Sequence, residues 1–225
     1  MTVNVLGLDL GLAHAGAARI DIDGTIAGTW RLDTDPLAAG APIGEVARRI
    51  RGVARWAVGR GTTDTVLVVV EGPAHAAVYG QPHERAGVWW RTVDALCRAE
   101  IPVGVLPPAS LKKYLTGNGR ADKAAMRRAV AACYPGRGLQ LVSDDEADAA
   151  ALAMCGADWL GWPGPYLQGR RGGGWLRAAN WPDPATVCPI PGDLPGDGGA
   201  DAPIAARREP PHVQSPFTHP QETRR

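Results

Sequence analysis

Apolar and polar positions alternate between two periods along this chain, and the switches mark its elements. VNVLGLDL (3–10) is an almost unbroken apolar run and predicts a buried strand. GAARIDIDGTIAGTWRL (16–32) predicts a hairpin turning at Asp23-Gly24. Ile43, Val46, Ile50, Val53 and Ala57 then recur at helical spacing and leave a cluster of arginines, Arg48, Arg49, Arg51, Arg55 and Arg60, on the other face and in the following loop. TVLVVVE (65–71) is a continuous β-branched run, the pattern of a parallel strand covered on both faces, and it ends on a glutamate.

A second helical stripe runs from Glu84 to Arg98 through Ala86, Trp89, Trp90, Val93, Leu96 and Cys97, with both tryptophans expected in the core. IPVGVLPP (101–108) predicts a strand stopped by its prolines, followed by a short helix, ASLKKYL, a glycine loop, and the helix ADKAAMRRAVAACY (121–134). The last helix is SDDEADAAALAMCGADWL (143–160), with Ser143 and Glu146 at capping-box spacing. Three strands, then alternating helices and strands, predict an α/β domain. Its mixed five-stranded sheet would carry an antiparallel hairpin beside parallel strands, with helices on both faces.

Composition changes this picture at one end. Of the 20 prolines, 8 precede residue 159 and 12 follow it, and the later stretch also holds GRRGGG (169–174) and PGDLPGDGGAD (191–201). Such a segment cannot bury enough apolar surface to offset its ordering entropy. The expectation is therefore one domain, 1–158, with a largely disordered tail, 159–225, whose Trp159, Trp162, Trp175 and Trp181 could dock on the core or a partner. Cys97, Cys133, Cys155 and Cys188 form no CxxC pair and follow no signal peptide, which favours free thiols in the cytoplasm over disulfides or zinc. No apolar run reaches membrane-spanning length.

The formal net charge is only +1, yet residues 110–128 carry Lys112, Lys113, Arg120, Lys123, Arg127 and Arg128 against Asp122 alone. That cluster surrounds the glycine loop TGNGRADK (116–123), and its chemistry suits phosphates. Gly117, Asn118 and Gly119 would let backbone amides approach, while Lys112 and Lys123 deliver charge.

Asp9 lies inside one apolar strand and Glu71 closes another. Parallel pairing of their strands would bring both to one sheet edge, where open α/β sheets bind ligands. The last helix adds Asp145 and Asp148, three apart on one face, with Asp144, four from Asp148, as the competing choice. Converging carboxylates repel unless a cation lies among them, and an oxygen-only donor set selects Mg2+, with Mn2+ the alternative. Two such ions per site suit phosphodiester hydrolysis.

These motifs, in this order, resemble the RuvC-type Holliday junction resolvases of the ribonuclease H-like fold. GLDLGLAHAGAARI is similar to the family's first-strand motif and VLVVVEG to its central strand. LPPASLKKYLTGNGRADKAAM is similar to its lysine and glycine segment, and DEADAAALAMCG to its final acidic helix. EGPAHAAVYGQPHERAGVWW resembles the shortened phage or actinobacterial version. The resemblance covers most of residues 3–158. It implies that Asp9, Glu71, Asp145 and Asp148 bind metal, that Lys112 and Lys123 fill the two basic active-site positions, and that a homodimer nicks four-way DNA junctions symmetrically. There is one departure: the family's better-known bacterial members carry a junction-wedging aromatic shortly after the glutamate, whereas that position here is near Ala74 and His75, which leaves Tyr79 as the candidate substitute and junction and cut-sequence preference open.

Other readings are a less selective branched-DNA, flap or RNA nuclease of the same fold, a noncatalytic branched-DNA-binding module, and an actin-like ATPase or sugar kinase. The last is suggested by GLDLGLAHAG followed by a DG hairpin, but those proteins need a second such domain.

Overall fold

The structure, a computed structural model, describes residues 2–38, 40–73, 81–134, 141, 143–164 and 176–187. In chain order the elements are β1 (Asn4–Leu10), β2 (His14–Asp21), β3 (Ile26–Asp33), α1 (Ile43–Val58), β4 (Thr65–Glu71), α2 (Pro82–Arg98), β5 (Val103–Leu106), α3 (Pro108–Thr116), α4 (Lys123–Cys133) and α5 (Asp144–Trp159). Two 3-10 turns, Leu176–Ala178 and Pro184–Thr186, follow. The strands form one sheet in the order β3-β2-β1-β4-β5. β1 and β2 pair antiparallel, as do β2 and β3, whereas β4 lies parallel to both β1 and β5. This is the mixed five-stranded sheet that the sequence pattern predicts.

Alternation along the strands assigns the layers. Val5, Ala18, Ile20, Leu67 and Val69 face the helices α3, α4 and α5, while Leu6, Leu8, Ala17, Val68 and Val70 face α1 and α2. Both faces of β1 and β4 are covered, which is why those strands read as unbroken apolar runs. α5 is the central helix of its layer, and nearly every residue on it from Ala149 to Trp159 is fully buried.

Glycines set how closely α5 approaches the sheet. A Cβ on Gly7 would lie 2.1 Å from the Ala149 carbonyl oxygen, and one on Gly16 would lie 2.0 Å from that of Asp145. The N-terminus of α5 is also fixed by its cap. The Ser143 hydroxyl accepts from the Glu146 amide (3.1 Å), and the Glu146 carboxylate accepts from the Ser143 amide (2.9 Å) and from the Thr29 hydroxyl on β3 (3.2 Å). Glu146 is thus a buried acid employed in holding the helix.

Several boundaries shift for local reasons. The hairpin begins two residues early, at His14, and its turn places Gly24 at φ 82°, a left-handed conformation that glycine adopts without strain. β5 is trimmed to four residues between Pro102 and Pro107, since neither proline can donate to the ladder. α2 starts at Pro82, whose missing amide costs nothing at a first helical position. Trp90 is a correction: it is 65% exposed, because it sits about 100° round the helix from Trp89.

Beyond α5 the described stretch 176–187 packs on the domain. Asn180 forms an antiparallel bridge with Val105 at the β5 edge, with amide-to-carbonyl bonds of 2.8 and 2.9 Å. Trp181 stacks on Trp159 (centroids 4.9 Å apart, planes at 11°) and fills the notch left by Gly104. Trp162 is buried as well. Trp175 lies outside the described residues, as do Cys188, Ala74, His75 and Tyr79. Cys97 and Cys155 are free thiols. Among the described residues no helix is long and apolar enough to cross a membrane.

Candidate active site

The register of β1 and β4 decides the site. Leu8 pairs with Val70 in parallel, so the next residues, Asp9 and Glu71, stand side by side at the carboxyl edge of the sheet, Asp9 still paired with Gly16 and Glu71 with Leu106. α5, pressed down at Gly16, brings Asp145 and Asp148 over the same edge. The electrostatics reflect this gathering. Burial first, and then the charges of Glu71, Asp148 and Asp145, push the Asp9 carboxyl well above the usual carboxylate range, with Lys123 opposing. Glu71 is pushed up to about 7 by burial and by Asp148, against Lys112 and Arg85. Asp148 rises to about 6 through burial, opposed by Lys123 and Lys112 and reinforced by Asp145 and Asp144.

The adjacent acids of α5 part company. Asp144 is ion-paired to two residues of α4, Lys123 (3.4 Å) and Arg127 (3.1 Å). Asp145 instead lies within electrostatic reach of both Asp9 and Asp148. Among the described residues no three His, Cys, Asp or Glu side chains converge tightly enough to grip an ion directly. The four acids are therefore an electrostatically coupled group rather than a closed ligand cage. Their donors are all carboxylate oxygens, the type that hard divalent cations take, so the donor chemistry fits Mg2+ or Mn2+.

The glycine loop is arranged differently from the sequence expectation. Gly117 ends α3 in the left-handed region, φ 79°, with its amide bound to the Lys113 carbonyl. The Asn118 amide donates to the Thr116 hydroxyl (3.1 Å), the Arg120 amide to Asn118 Oδ1 (3.0 Å), and the Ala121 amide to the Asn118 carbonyl (3.1 Å). A Cβ on Gly119 would approach the Ala109 carbonyl to 3.1 Å. Asp122 caps α4 by accepting from the Ala125 amide. The amides of Gly117, Asn118, Arg120 and Ala121 are thus engaged internally, and the loop's polar short side chains build the turn. The positive side chains around it are Lys112 on α3, Lys123 at the first position of α4, and the exposed Lys113 and Arg120. Of these, Lys112 and Lys123 act on the acids.

One participant is not legible from the sequence. Arg85, on the first turn of α2, lines a pocket of about 80 Å³ together with Asp9, Glu71, Gly72, Pro73 and Trp89. Its only signal is position, four residues before Trp89 and hence on the same helical face. Trp89 in turn donates its indole N–H to the Glu71 carbonyl (2.9 Å). His14 does not join the acids; its Nδ1 lies 2.7 Å from Asp33, which also pairs with Arg31 (2.6 Å). In the second arginine cluster, Arg49 donates to Thr34 and the Asp35 carbonyl, and Arg60 lies over Trp30 and Trp56.

Comparison with known proteins agrees with this architecture. No protein-family model matches the chain. A crossover junction endodeoxyribonuclease RuvC from Frankia alni is 32% identical over 195 residues, covering 82% of this chain and 90% of the relative. The protein of the same name from a Synechococcus strain is 31% identical, over 68% of this chain and 98% of the relative. Among solved structures, Thermus thermophilus RuvC in complex with a Holliday junction substrate matches with a TM-score of 0.53 at 22% identity, over 68% of this chain and 91% of that one. The structural match speaks to the fold alone, which is ribonuclease H-like. With a third of the residues shared across nearly the full length of the Frankia protein, the chain belongs to the RuvC family of crossover junction endodeoxyribonucleases.

Proposed function

We propose that this protein is a divalent-metal-dependent endonuclease that resolves four-way DNA junctions, cutting one strand per subunit of a homodimer. The observation that carries the reading is the meeting of Asp9 and Glu71, from paired strands, with Asp145 and Asp148, from α5, at one half-buried sheet edge. Family membership supplies the substrate class.

The roles follow from position. Asp9, Glu71, Asp145 and Asp148 would hold the metal, Mg2+ or Mn2+, as one ion or a pair. Asp145 takes precedence over Asp144 because the latter is held by Lys123 and Arg127. A metal held by these carboxylates would supply Lewis-acid polarisation of the scissile phosphate and a more acidic water. Four acids at one edge would repel a phosphodiester by themselves. Lys112 and Lys123 offset that repulsion, aligning the strand as point charges beside Glu71 and Asp148. Lys113 and Arg120, exposed on the flanking loop, extend this positive rim along the DNA backbone, while Gly117, Asn118 and Gly119 shape the loop that presents them. Residues 1–158 constitute the bulk of the nuclease domain, and the described stretch 176–187 packs against it.

The test is to incubate end-labelled four-way, Y-shaped and linear DNA with the protein in Mg2+ and map the cuts. Paired nicks at symmetry-related positions of the four-way junction, with much slower cutting of the others, are expected. Equal cutting of all three substrates would reject junction selectivity, and absence of cutting would reject the nuclease.

A further inference from the structure

The acidic edge has cations on two sides, contributed by different layers of the fold. Lys112 and Lys123 stand on α3 and α4, in the layer of α5, whereas Arg85 stands on α2, across the sheet. Arg85 lines the pocket that contains Asp9 and Glu71, and its charge reaches Glu71 as that of Lys112 does from the other side.

Its position is set by rigid neighbours. The Arg85 amide donates to the Gln81 carbonyl (3.0 Å), closing the first turn of α2. One turn later the Trp89 indole bonds the Glu71 carbonyl (2.9 Å), fastening this face of the helix to the end of β4. Arg31, Arg49, Arg98 and Arg127 each hold a hydrogen bond or ion pair within the protein. Among the described residues the exposed Arg85 guanidinium has neither, which leaves its five donors available beside the pocket it lines.

We propose that Arg85 is a third cationic substrate contact, binding a phosphate next to the scissile one from the side opposite Lys112 and Lys123, so that the strand to be cut is gripped from both helical layers. This rests on the nuclease reading. A planar guanidinium matches two phosphate oxygens at once and stays charged at every working pH, which an ammonium does not reproduce geometrically.

Junction binding is measured in EDTA across a salt series for the parent, Arg85→Gln and Arg85→Lys, with thermal melts confirming that each is folded. Arg85→Gln should weaken binding about 10-fold or more, the scale of one charge-assisted contact. It should also make the salt dependence shallower by about 0.9 in log–log slope, the loss of one phosphate contact. Arg85→Lys should restore the slope and only part of the affinity. A junction with a single uncharged methylphosphonate flanking the cut should weaken the parent similarly and Arg85→Gln no further. A parental slope in Arg85→Gln, or methylphosphonate losses that add fully to the mutation at every position, would overturn the contact. If the parent leaves junctions uncut in Mg2+, the nuclease reading falls, while the slope comparison still decides on Arg85.

Discussion

Replacing Gly16 with alanine puts a methyl group 2.0 Å from the Asp145 carbonyl oxygen, 2.3 Å from its carbon and 2.9 Å from the Glu146 amide. All three are backbone atoms of the first turn of α5, so no side chain can swing aside to relieve the clash. Ordinary contact begins near 3.4 Å, and the helix start must therefore retreat by roughly 1.4 Å. The same turn carries Asp145 and, three residues on, Asp148, so two of the four acids move away from Asp9 and Glu71. Overpacking of this kind costs about 1–3 kcal/mol of stability. A misplacement of about 1 Å at a reacting centre costs on the order of 100-fold in rate. Gly16→Ala should accordingly stay folded at room temperature, bind junctions in EDTA within about threefold of the parent, and nick them in Mg2+ about 100-fold more slowly. Gly52→Ala is the control: a Cβ there meets nothing within 4 Å on exposed α1, and it should gain about 0.5–1 kcal/mol with unchanged nicking. Folded Gly16→Ala cutting within about twofold of the parent would refute the argument that this glycine sets the site.

Three further outcomes are expected. In EDTA, Glu71 and Asp148 keep protons in the folded chain at pH values where the unfolded chain has lost them, so stability falls as pH rises from about 4 through about 7. Glu71→Gln should flatten that decline and raise the melting temperature above pH 7, as read by calorimetry; a decline of parental steepness would contradict it. Removing both Lys112 and Lys123 by alanine should reduce the salt slope of junction binding by about 1.8, two phosphate contacts, as read by anisotropy titration. Trp181→Ala should free the 176–187 segment, at a cost of about 3 kcal/mol for a stacked, buried indole, and should speed hydrogen exchange at the Val105 amide bound to Asn180.

The mixed sheet and the order of elements along the chain were legible because the covered strands β1 and β4 are apolar on both faces and the DG turn is chemically explicit. Asp9 and Glu71 could be brought together from sequence only through the parallel pairing of their strands, which the register of β1 and β4 supplies. What sequence could not supply was distance. The engagement of the loop amides at Asn118 and Arg120 depends on hydrogen bonds inside a turn whose residue types suit phosphate binding equally well. The division of labour between Asp144 and Asp145 depends on where α4 puts Lys123 and Arg127. Arg85 was hidden because an arginine on an exposed helical turn is ordinary until β4 is found to end beneath it. The packing of Trp181 on Trp159 lay within a stretch whose proline and glycine content reads as unstructured.

The most direct measurement is anomalous diffraction from crystals of the protein grown with Mn2+. Anomalous peaks bounded by the carboxylates of Asp9, Glu71, Asp145 and Asp148 are expected, together with their loss in Asp9→Asn crystals. Peaks elsewhere, or peaks that persist unchanged in Asp9→Asn, would contradict the claim that these four acids form one metal site.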